Sequence, residues 1–584
     1  MSDYDVVVCG AGVAGLAAAM LFGAQGRRVL VVDKQAEPAD TFKGELLHPG
    51  SLTILDRTGA LDLLRQRGAR TVNRLVSATA DGRELCSMDY RWFPAPYDHC
   101  LTHTYKGIVG TLADSLPGTV ELRHGVSVLR ALRADDGRAQ GIEIRADRTE
   151  DRIRTPLVVA ADGASSKLRT QVGIEVDAIV YDHQVVAFDL VDEPLLQEQA
   201  TTYITPAGMR VTYPMPDNGG RLYLQIPRGL VNRVGKAALS DWIDTAIAEC
   251  PGLIPLRDSI RRALPTSRVL SARRFVAPEF QRDGMPLLGD AAHGVHPMAG
   301  QGMNVAIADA AALVDMFEDV ELEDRRPTDR ALVRYGVRRA GEVRTIAEFS
   351  HRFAELFTRT GTRLGYARAH YMLGRHGHNQ RLCYKIMHNI SGLGYEPFSV
   401  LDRLQQVGFP DRRGRAVPGR VGSEMSALGA RGLTRIRPQQ RLELGQQLHD
   451  ASHALLVQLR HRVREPGVDR AGTAFVEGQA RGVRGQRHPG AATVVGILAE
   501  HEDAGLGHLP HDRRHPALGQ TGSTSDRRDR APRRAGHGLD HGELGHGDLE
   551  VATPLARREG DLTQLPGEGV HADDVHGRPP PHGG

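Results

Sequence analysis

Three glycines near the start of the chain, Gly10, Gly12 and Gly15, have the G-x-G-x-x-G spacing of a dinucleotide-binding turn. In such a turn the first glycine permits a tight bend, the second lets backbone approach a pyrophosphate, and the third lets helix and strand pack closely. Asp33 is spaced to accept hydrogen bonds from a ribose. The residues that this pattern predicts to contact the nucleotide are Gly10, Gly12, Val13, Ala14, Gly15, Asp33 and Lys34.

The elements that would position this turn surround it in the sequence. A short apolar run at residues 5–9 predicts a buried strand, and the alanine-rich run at residues 16–22 predicts a helix. Residues 29–32 predict a second strand, and the helix N-terminus between the strands would offer N–H groups to phosphates. Strand, glycines, helix, strand and acid in register predict a Rossmann-type nucleotide-binding unit.

Two later segments end apolar strands with an acid and a glycine. The run at residues 157–161 leads into Asp162 and Gly163, and far downstream Gly289 and Asp290 precede a glycine-rich turn and a helix rich in small residues. This pattern predicts that Asp290 meets a sugar-like hydroxyl and that the turn opens the helix onto an electron-rich ring. The candidate cofactor contacts are Asp162, Gly163, Asp290, Pro297, Gly300, Gly302, Met303 and Asn304.

These motifs resemble those of single-component (group A) FAD-dependent monooxygenases and occur in that family's order. The fingerprint lies at residues 10–15, the D-G motif at 162–169 and the G-D motif at 289–297. Residues 296–304 are similar to ubiquinone-biosynthesis hydroxylases, and residues 44–50 resemble a loop of squalene epoxidases. The family's aromatic hydroxylases and epoxidases place FAD at these motifs.

The resemblance implies a role for each matching position. Asp33 is expected to hold the ribose of the FAD adenosine half, Asp290 the ribityl chain, and residues 300–304 to lie beside the flavin ring. Asp162-Gly163 is implicated in contacts with both FAD and NADPH. The family commonly has Arg near the positions of Lys43 and Lys106. Lysine keeps the charge but loses the bidentate fork, and either lysine is also compatible with a solvated surface charge.

The implied reaction consumes NADPH or NADH and O2. Reduced FAD adds O2 at C4a, and the hydroperoxide passes one oxygen atom to an aromatic or quinone-like ring or to an alkene. Hydroxylation and epoxidation both stay open, because residues 296–304 and 44–50 point to different branches. The expected substrate is a small aromatic or isoprenoid molecule of bacterial natural-product, including antibiotic, or isoprenoid biosynthesis. No metal is expected.

Rival functions share the nucleotide-binding fold. A flavoprotein reductase would saturate prenyl double bonds without oxygen. A flavin-dependent halogenase would carry a W-x-W-x-I-P segment, which the surroundings of Trp92 and Trp242 do not match. A nonenzymatic flavin-binding protein would show no NAD(P)H oxidation with any ligand.

The catalytic residues are not assigned by the sequence. The weak candidates for a general base are Glu45, His48 and His296, with His293 beside them. A base helps only where a phenol must lose its proton, and an alkene needs none. A structural role, for His293 and His296 that of orienting the flavin loop, is the alternative for each.

The predicted fold class is α/β: a Rossmann-type FAD-binding domain, an inserted antiparallel-sheet substrate domain and C-terminal helices. Alternation between residues 180 and 230 predicts the sheet, with Tyr213 and Met215 on the face over the flavin. The amphipathic stretch at residues 343–357 is compatible with peripheral membrane contact, pocket closure or ordinary packing. The predicted ranges are 1–75, 101–170 and 275–320 for the FAD-binding domain, 76–100 and 171–274 for the substrate domain, 321–412 for the helices and 413–584 for a tail.

The tail differs from the rest in composition. After Gln440 it holds 14 of the 26 His and 23 of the 66 Gly but almost no large side chains, so it cannot bury enough apolar area to fold. A disordered segment, GC-rich DNA translated in the wrong frame and a His-rich metal-binding tract are the three interpretations.

Composition excludes several classes of protein. The net charge of +3 gives no reason to expect nucleic-acid binding, and no apolar run reaches the length of a membrane span. Five cysteines without a C-x-x-C pair argue against a disulfide scaffold. With no leader before the first predicted strand, a cytoplasmic protein is expected. The sequence does not set the oligomeric state.

Overall fold

The structure is a computed structural model that describes residues 3–38, 44–193 and 196–415. Lys43 and the tail after residue 415, to which the three interpretations above apply, lie outside these ranges. Within them, the predicted α/β architecture is confirmed.

The described residues form twenty strands. In chain order they are β1 Val6–Cys9, β2 Val29–Val32, β3 Leu46–Leu47, β4 Arg70–Val72, β5 Arg74–Thr79, β6 Glu84–Asp89, β7 Cys100–Thr102, β8 Val120–Arg123, β9 Ser127–Arg133, β10 Ala139–Ala146, β11 Thr149–Arg154, β12 Leu157–Ala160, β13 Ile179–Leu190, β14 Gln199–Thr205, β15 Gly208–Pro214, β16 Gly220–Pro227, β17 Arg268–Val276, β18 Gln281–Arg282, β19 Met285–Pro286 and β20 His293–Gly294.

The same residues form twelve α-helices, of which α6 is kinked at Gly235. They are α1 Val13–Ala24, α2 Pro49–Asp56, α3 Ala60–Gln66, α4 Tyr105–Asp114, α5 Lys167–Gln171, α6 Leu230–Ala248, α7 Arg257–Ala263, α8 Gln301–Asp315, α9 Arg325–Thr358, α10 Arg363–His378, α11 Gln380–Ser391 and α12 Val400–Gln406.

A parallel sheet in the order β12-β1-β2-β8 forms the nucleotide-binding half. Val6 pairs with Leu157 on one side and Val29 on the other. All residues of β1, β2 and β12 are buried, because a parallel sheet is covered on both faces and its strands are runs of valine and leucine. Ala160 also bridges Leu287 in parallel, so five chain segments run toward one edge of the sheet.

An eight-stranded sheet in the order β20-β17-β13-β16-β15-β14-β5-β6 forms the second half. Its pairs are antiparallel as predicted, except that β5 and β14 run parallel. β5 begins at Arg74 and β17 ends at Val276, so both strands cross the predicted domain boundaries, and the domain division stays a prediction.

The two faces of the eight-stranded sheet have different partners. Tyr213 and Met215 belong to a core shared with helices α9 to α11, whereas Phe188 and Leu222 pack on the other face against α6 and α7. Alternate residues of a strand point to opposite faces, so β13 and β16 supply both cores.

Helix α9 is 34 residues long and connects the two halves. Near its middle Arg339 contacts Asp309 of α8, and at its end Thr358 accepts a hydrogen bond from Gln225 of β16 at 3.0 Å. Val343 and Phe357 are buried, whereas Phe349 and Phe353 of the same stretch are only partly buried. In the part of the chain that the structure describes, no helix has both the length and the apolarity to cross a bilayer.

Candidate functional site

The glycine turn after β1 has the geometry that its spacing predicts. Gly10 has φ +115°, and a Cβ there would lie 2.3 Å from the carbonyl oxygen of Ala161. A Cβ at Gly15 would lie 1.9 Å from the Gly10 oxygen. Gly12 begins α1, and no described side chain caps its N–H groups. The turn therefore presents backbone donors to an anion.

Asp33 lies at the carboxyl end of β2, beside this turn. Its Oδ2 accepts from the Ala11 N–H at 2.7 Å, and its Oδ1 accepts from the Gln35 N–H at 2.7 Å. A carboxylate oxygen has two acceptor positions, so Asp33 can order the turn and also accept from a ribose hydroxyl. The side chain of Lys34 points to solvent.

Tyr105 at the start of α4 faces the same turn. Its hydroxyl would lie 3.6 Å from a Cβ at Gly12. Lys106, the predicted contact, is exposed on the next position of the helix. Tyr105 therefore lies beside the turn, and the cofactor contact of Lys106 stays a prediction.

The D-G and G-D motifs are linked by one buried arginine. Asp162 accepts from the hydroxyl of Ser166, the N-cap of α5, at 2.5 Å and from the Leu168 N–H at 3.2 Å. Gly163 follows Asp162 with φ +87°. Arg169 of α5 donates to the Ala291 carbonyl at 2.8 Å, one residue past Asp290. The link fixes the spacing between the two motifs.

Asp309, inside α8, holds the chain on either side of Asp290. Its Oδ2 accepts from the Gly289 N–H at 2.9 Å and from His293 Nε2 at 2.7 Å, and its Oδ1 accepts from Arg339 Nε at 2.8 Å. Burial favours a raised pKa for Asp309, but Arg339 and His293 hold that pKa below its usual value. His293 therefore has a structural role, as a hydrogen-bond partner of the buried Asp309 carboxylate.

The glycine-rich turn before α8 forms a second open helix start. Gly300 has φ +60° and begins α8, and no described side chain caps that end. A Cβ at Gly302 would have only Val295 within 4 Å, at 3.9 Å. Pro297 of the same turn is exposed, and Met303 packs under Gly44.

Asn304 joins this turn to the loop before α2. Its Oδ1 accepts from the His48 N–H at 2.8 Å and from the Ser51 hydroxyl at 2.7 Å. Its Nδ2 donates to the carbonyls of Leu46 and Gly300 at 2.8 and 2.7 Å. All four hydrogen-bonding positions of the amide are used, so the side chain holds two loops together.

Glu45 is tied to the eight-stranded sheet. Arg221 donates to its two oxygens at 2.9 and 2.7 Å, and the hydroxyls of Tyr213 and Tyr223 donate at 2.8 and 3.0 Å. Burial, together with the Glu45 charge, raises the pKa of both tyrosines well above the usual value. A carboxylate with four donors is poorly suited to remove a proton from a substrate.

His48 and His296 are both buried beside the turn at Gly300. His48 Nδ1 lies 2.9 Å from the Tyr90 hydroxyl, and its Nε2 would lie 3.3 Å from a Cβ at Gly300. His296 Nδ1 accepts from the Met298 N–H at 3.1 Å, and its Nε2 lies 3.0 Å from Nε2 of His183. Burial, with His183 and His351 nearby, lowers the pKa of His296 to about 3.

Sequence reasoning missed the partners of these residues. Arg221 and His183 lie inside strands that the motifs do not include, and Asp309 lies in α8 beyond the last predicted contact, Asn304. A charged residue in an otherwise apolar run, such as Asp309 among alanines, is a signal that was available in the sequence.

The described residues fit FAD. Two uncapped helix starts, at Gly12 and Gly300, offer N–H donors, and Asp33 and Asp290 lie at the ends of strands that meet at one edge of the sheet. Ligands of such sheets bind outside the carboxyl ends of the strands. Asp33 would hold the adenosine side, and the start of α8 the flavin side.

Comparisons with known proteins agree with this fit. The family model described as FAD binding domain matches residues 3–350. 6-Methylpretetramide 4-monooxygenase of Streptomyces rimosus is 29% identical over 367 residues, which cover 56% of this chain and 81% of that protein. Squalene epoxidase 2 of Arabidopsis thaliana is 24% identical over 359 residues, which cover 59% of this chain and 60% of that protein.

Solved structures show the same fold. p-Nitrophenol 4-monooxygenase PnpA of Pseudomonas putida DLL-E4 superposes with a TM-score of 0.59 at 21% identity, covering 68% of this chain and 100% of that one. PqsL of P. aeruginosa in complex with 2-aminobenzoylacetate gives 0.54 at 24% identity, covering 63% and 99%. The chain belongs to the FAD-binding-domain family and is an FAD-dependent monooxygenase of the hydroxylase or epoxidase type.

Proposed function

We propose that this protein uses NADPH or NADH and O2 to place one oxygen atom on an aromatic or quinone-like ring of a small molecule. The observation that carries the proposal is the position of the Gly300 turn: it is joined through Asn304 to the Glu45 loop, and that loop is bound to Tyr213 and Tyr223 of the sheet. A flavin at the start of α8 would therefore face the side of the eight-stranded sheet that carries Tyr213 and Tyr223.

Bound FAD would supply the redox chemistry, and the protein would orient the substrate and exclude water. The core beside Tyr213 suits that task because the helices that pack there contribute aromatic side chains. Phe349 and Phe353 of α9 stack with ring centroids 6.0 Å apart, and Phe349 also stacks on Phe398. Met298, Val211 and these rings are only partly buried, as side chains that border a substrate space would be.

Epoxidation of an alkene is the second candidate. Glu45 and His296 have their hydrogen-bonding positions taken by other groups, so neither is placed to deprotonate a phenol. An alkene needs no base. Of the three candidates, His48 is the one whose Nε2 points toward the flavin-side turn, and ring hydroxylation of a phenol would rely on it.

The test uses the purified full chain loaded with FAD. NADPH and NADH oxidation and O2 uptake are measured with phenols, quinones, quinolones and polyprenyl alkenes, and products are analysed by mass after reaction in labelled oxygen gas. Incorporation of one labelled atom into a ring supports the proposal, and incorporation into an alkene supports the second candidate. Reduction of a prenyl double bond without oxygen incorporation would contradict both.

A further inference from the structure

The hydrogen bonds around His296 determine where its proton lies. The backbone N–H of Met298 donates to Nδ1, so Nδ1 carries no proton and His296 is neutral with its proton on Nε2. That proton points at Nε2 of His183, 3.0 Å away, which must therefore be an acceptor. His183 is then neutral with its proton on Nδ1, 3.4 Å from Oδ1 of Asp182.

We propose that His183 is a positioning residue for the flavin side of the site. It accepts a hydrogen bond from the Nε2–H group of His296 and so fixes the tautomer in which Nδ1 of His296 caps the Pro297–Ala299 turn. This turn leads directly into Gly300 and the open start of α8. The inference rests on the proposed placement of the flavin beside that start. No motif includes His183, which reaches the turn from β13.

A proton added to the pair must break one of its hydrogen bonds. If the added proton binds Nε2 of His183, two N–H groups face each other, because Nε2 of His296 already carries a proton. If the His296 proton moves to Nδ1 instead, it faces the Met298 N–H. Acid therefore releases the cap. Burial of both rings keeps their pKa values below the ordinary histidine value, so the neutral pair is the state at neutral pH.

The other titratable and charged groups facing the pair come from three elements. The Tyr181 ring lies 4.6 Å from that of His296, and its hydroxyl lies 2.9 Å from His351 Nδ1. The Asp182 side chain is 98% exposed, so water screens its charge. The charged groups around Tyr181 and His351, the two neighbours of the pair, are Arg274 from β17, Glu348 and Glu355 from α9, and Arg359 just after α9.

The test compares H183Q and H183L in the full chain, with FAD affinity measured by quenching of flavin fluorescence at about pH 7.5 and about pH 4.5, the second well below the ordinary histidine pKa because burial lowers the pKa of both rings. H183Q keeps an acceptor that does not titrate, so affinity near pH 7.5 stays within about twofold of wild type and the weakening in acid is lost. H183L leaves the His296 donor unpaired and weakens FAD binding by roughly tenfold.

His376 provides the matched control. It is buried in α10, and burial lowers its pKa to about 4, so H376Q removes a comparable histidine from a different element. H376Q should bind FAD as wild type does, with the same acid weakening. The inference would be overturned, and the proposed function would stand, if H376Q lost the acid weakening or if H183L bound FAD as tightly as wild type. Failure of wild type to bind FAD would overturn the proposed function with it.

Discussion

Glu45 and Arg221 form a two-pronged ion pair, 2.9 and 2.7 Å long, in which both side chains are only 1% exposed. Glu45 belongs to the loop before α2 and Arg221 to β16, so the pair joins the nucleotide-binding half to the eight-stranded sheet. Arg221 also lies 3.4 Å from Asp189 at the rim. The pair is thus part of the frame around the site.

Replacing Arg221 by Met should be strongly destabilising. The change leaves the Glu45 carboxylate buried without its counter-charge, which costs about 3–5 kcal/mol in the free energy of unfolding. Chemical denaturation measures the loss. R28M is the control, because Arg28 pairs with Asp5 at the surface with a side chain that is 56% exposed. Equal losses in the two variants would contradict the role of the buried pair.

Replacing Gly10 by Ala should abolish retention of FAD. The new Cβ would meet the Ala161 oxygen at 2.3 Å in a backbone conformation that side chains rarely adopt, so the turn must move. Flavin absorbance after gel filtration reports the result. Gly26 has φ +80° but nothing within 4 Å of its Cβ position, so G26A also places a side chain at a positive φ, without the clash. If G10A held FAD as well as G26A, the close approach would not matter.

Replacing Asn304 by Asp should weaken FAD binding. A carboxylate cannot donate to the Leu46 and Gly300 carbonyls, so the two loops separate, and the unfolding free energy falls by about 1–3 kcal/mol. Asn389 is equally buried, and its side-chain amide donates to the Glu396 carbonyl and accepts from the Glu396 N–H. N389D is therefore a control with a similar loss of unfolding free energy. Only N304D is expected to lose FAD affinity, by roughly tenfold for about 1.4 kcal/mol. The same loss in N389D would show a general effect of instability.

The protein should lose stability in acid through its buried histidines. The pKa of His376 is lowered to about 4 in the folded state, so the unfolded chain binds the proton first. The contribution of neutral His376 to the free energy of unfolding is complete above about pH 6.5. It falls by about 2 kcal/mol by about pH 5. Urea unfolding at both pH values measures it. H376Q should reduce the difference by about that amount, and an unchanged pH dependence would contradict the assignment.

The glycine motifs could be predicted because their chemistry is local. Gly15 is required by a contact with Gly10 within one strand–turn–helix unit, and the same unit ends at Asp33, whereas the close approach of Gly10 to Ala161 adds a contact from β12. The ends of parallel strands share one edge, so the convergence of Asp162 and Asp290 also follows from the pattern. These are contacts that a spacing rule can describe.

The polar partners could not be predicted, because they depend on the tertiary contacts of the sheets and helices. His183 is 113 residues from His296 and Arg221 is 176 residues from Glu45. Nothing in the alternation of β13 or β16 indicates which residue each side chain meets. The parallel pairing of β5 with β14 is missed for the same reason, since it joins segments far apart in the chain.

The length of α9 between Arg339 and Thr358 has an evolutionary consequence. Both ends of this stretch are held, at Asp309 on one side and at Gln225 on the other. Inserting or deleting one residue would rotate one end by about 100° relative to the other and detach it. Changes in substrate range are therefore expected to accumulate as substitutions on the sheet and in its connecting loops, while insertions and deletions are selected against along this helix.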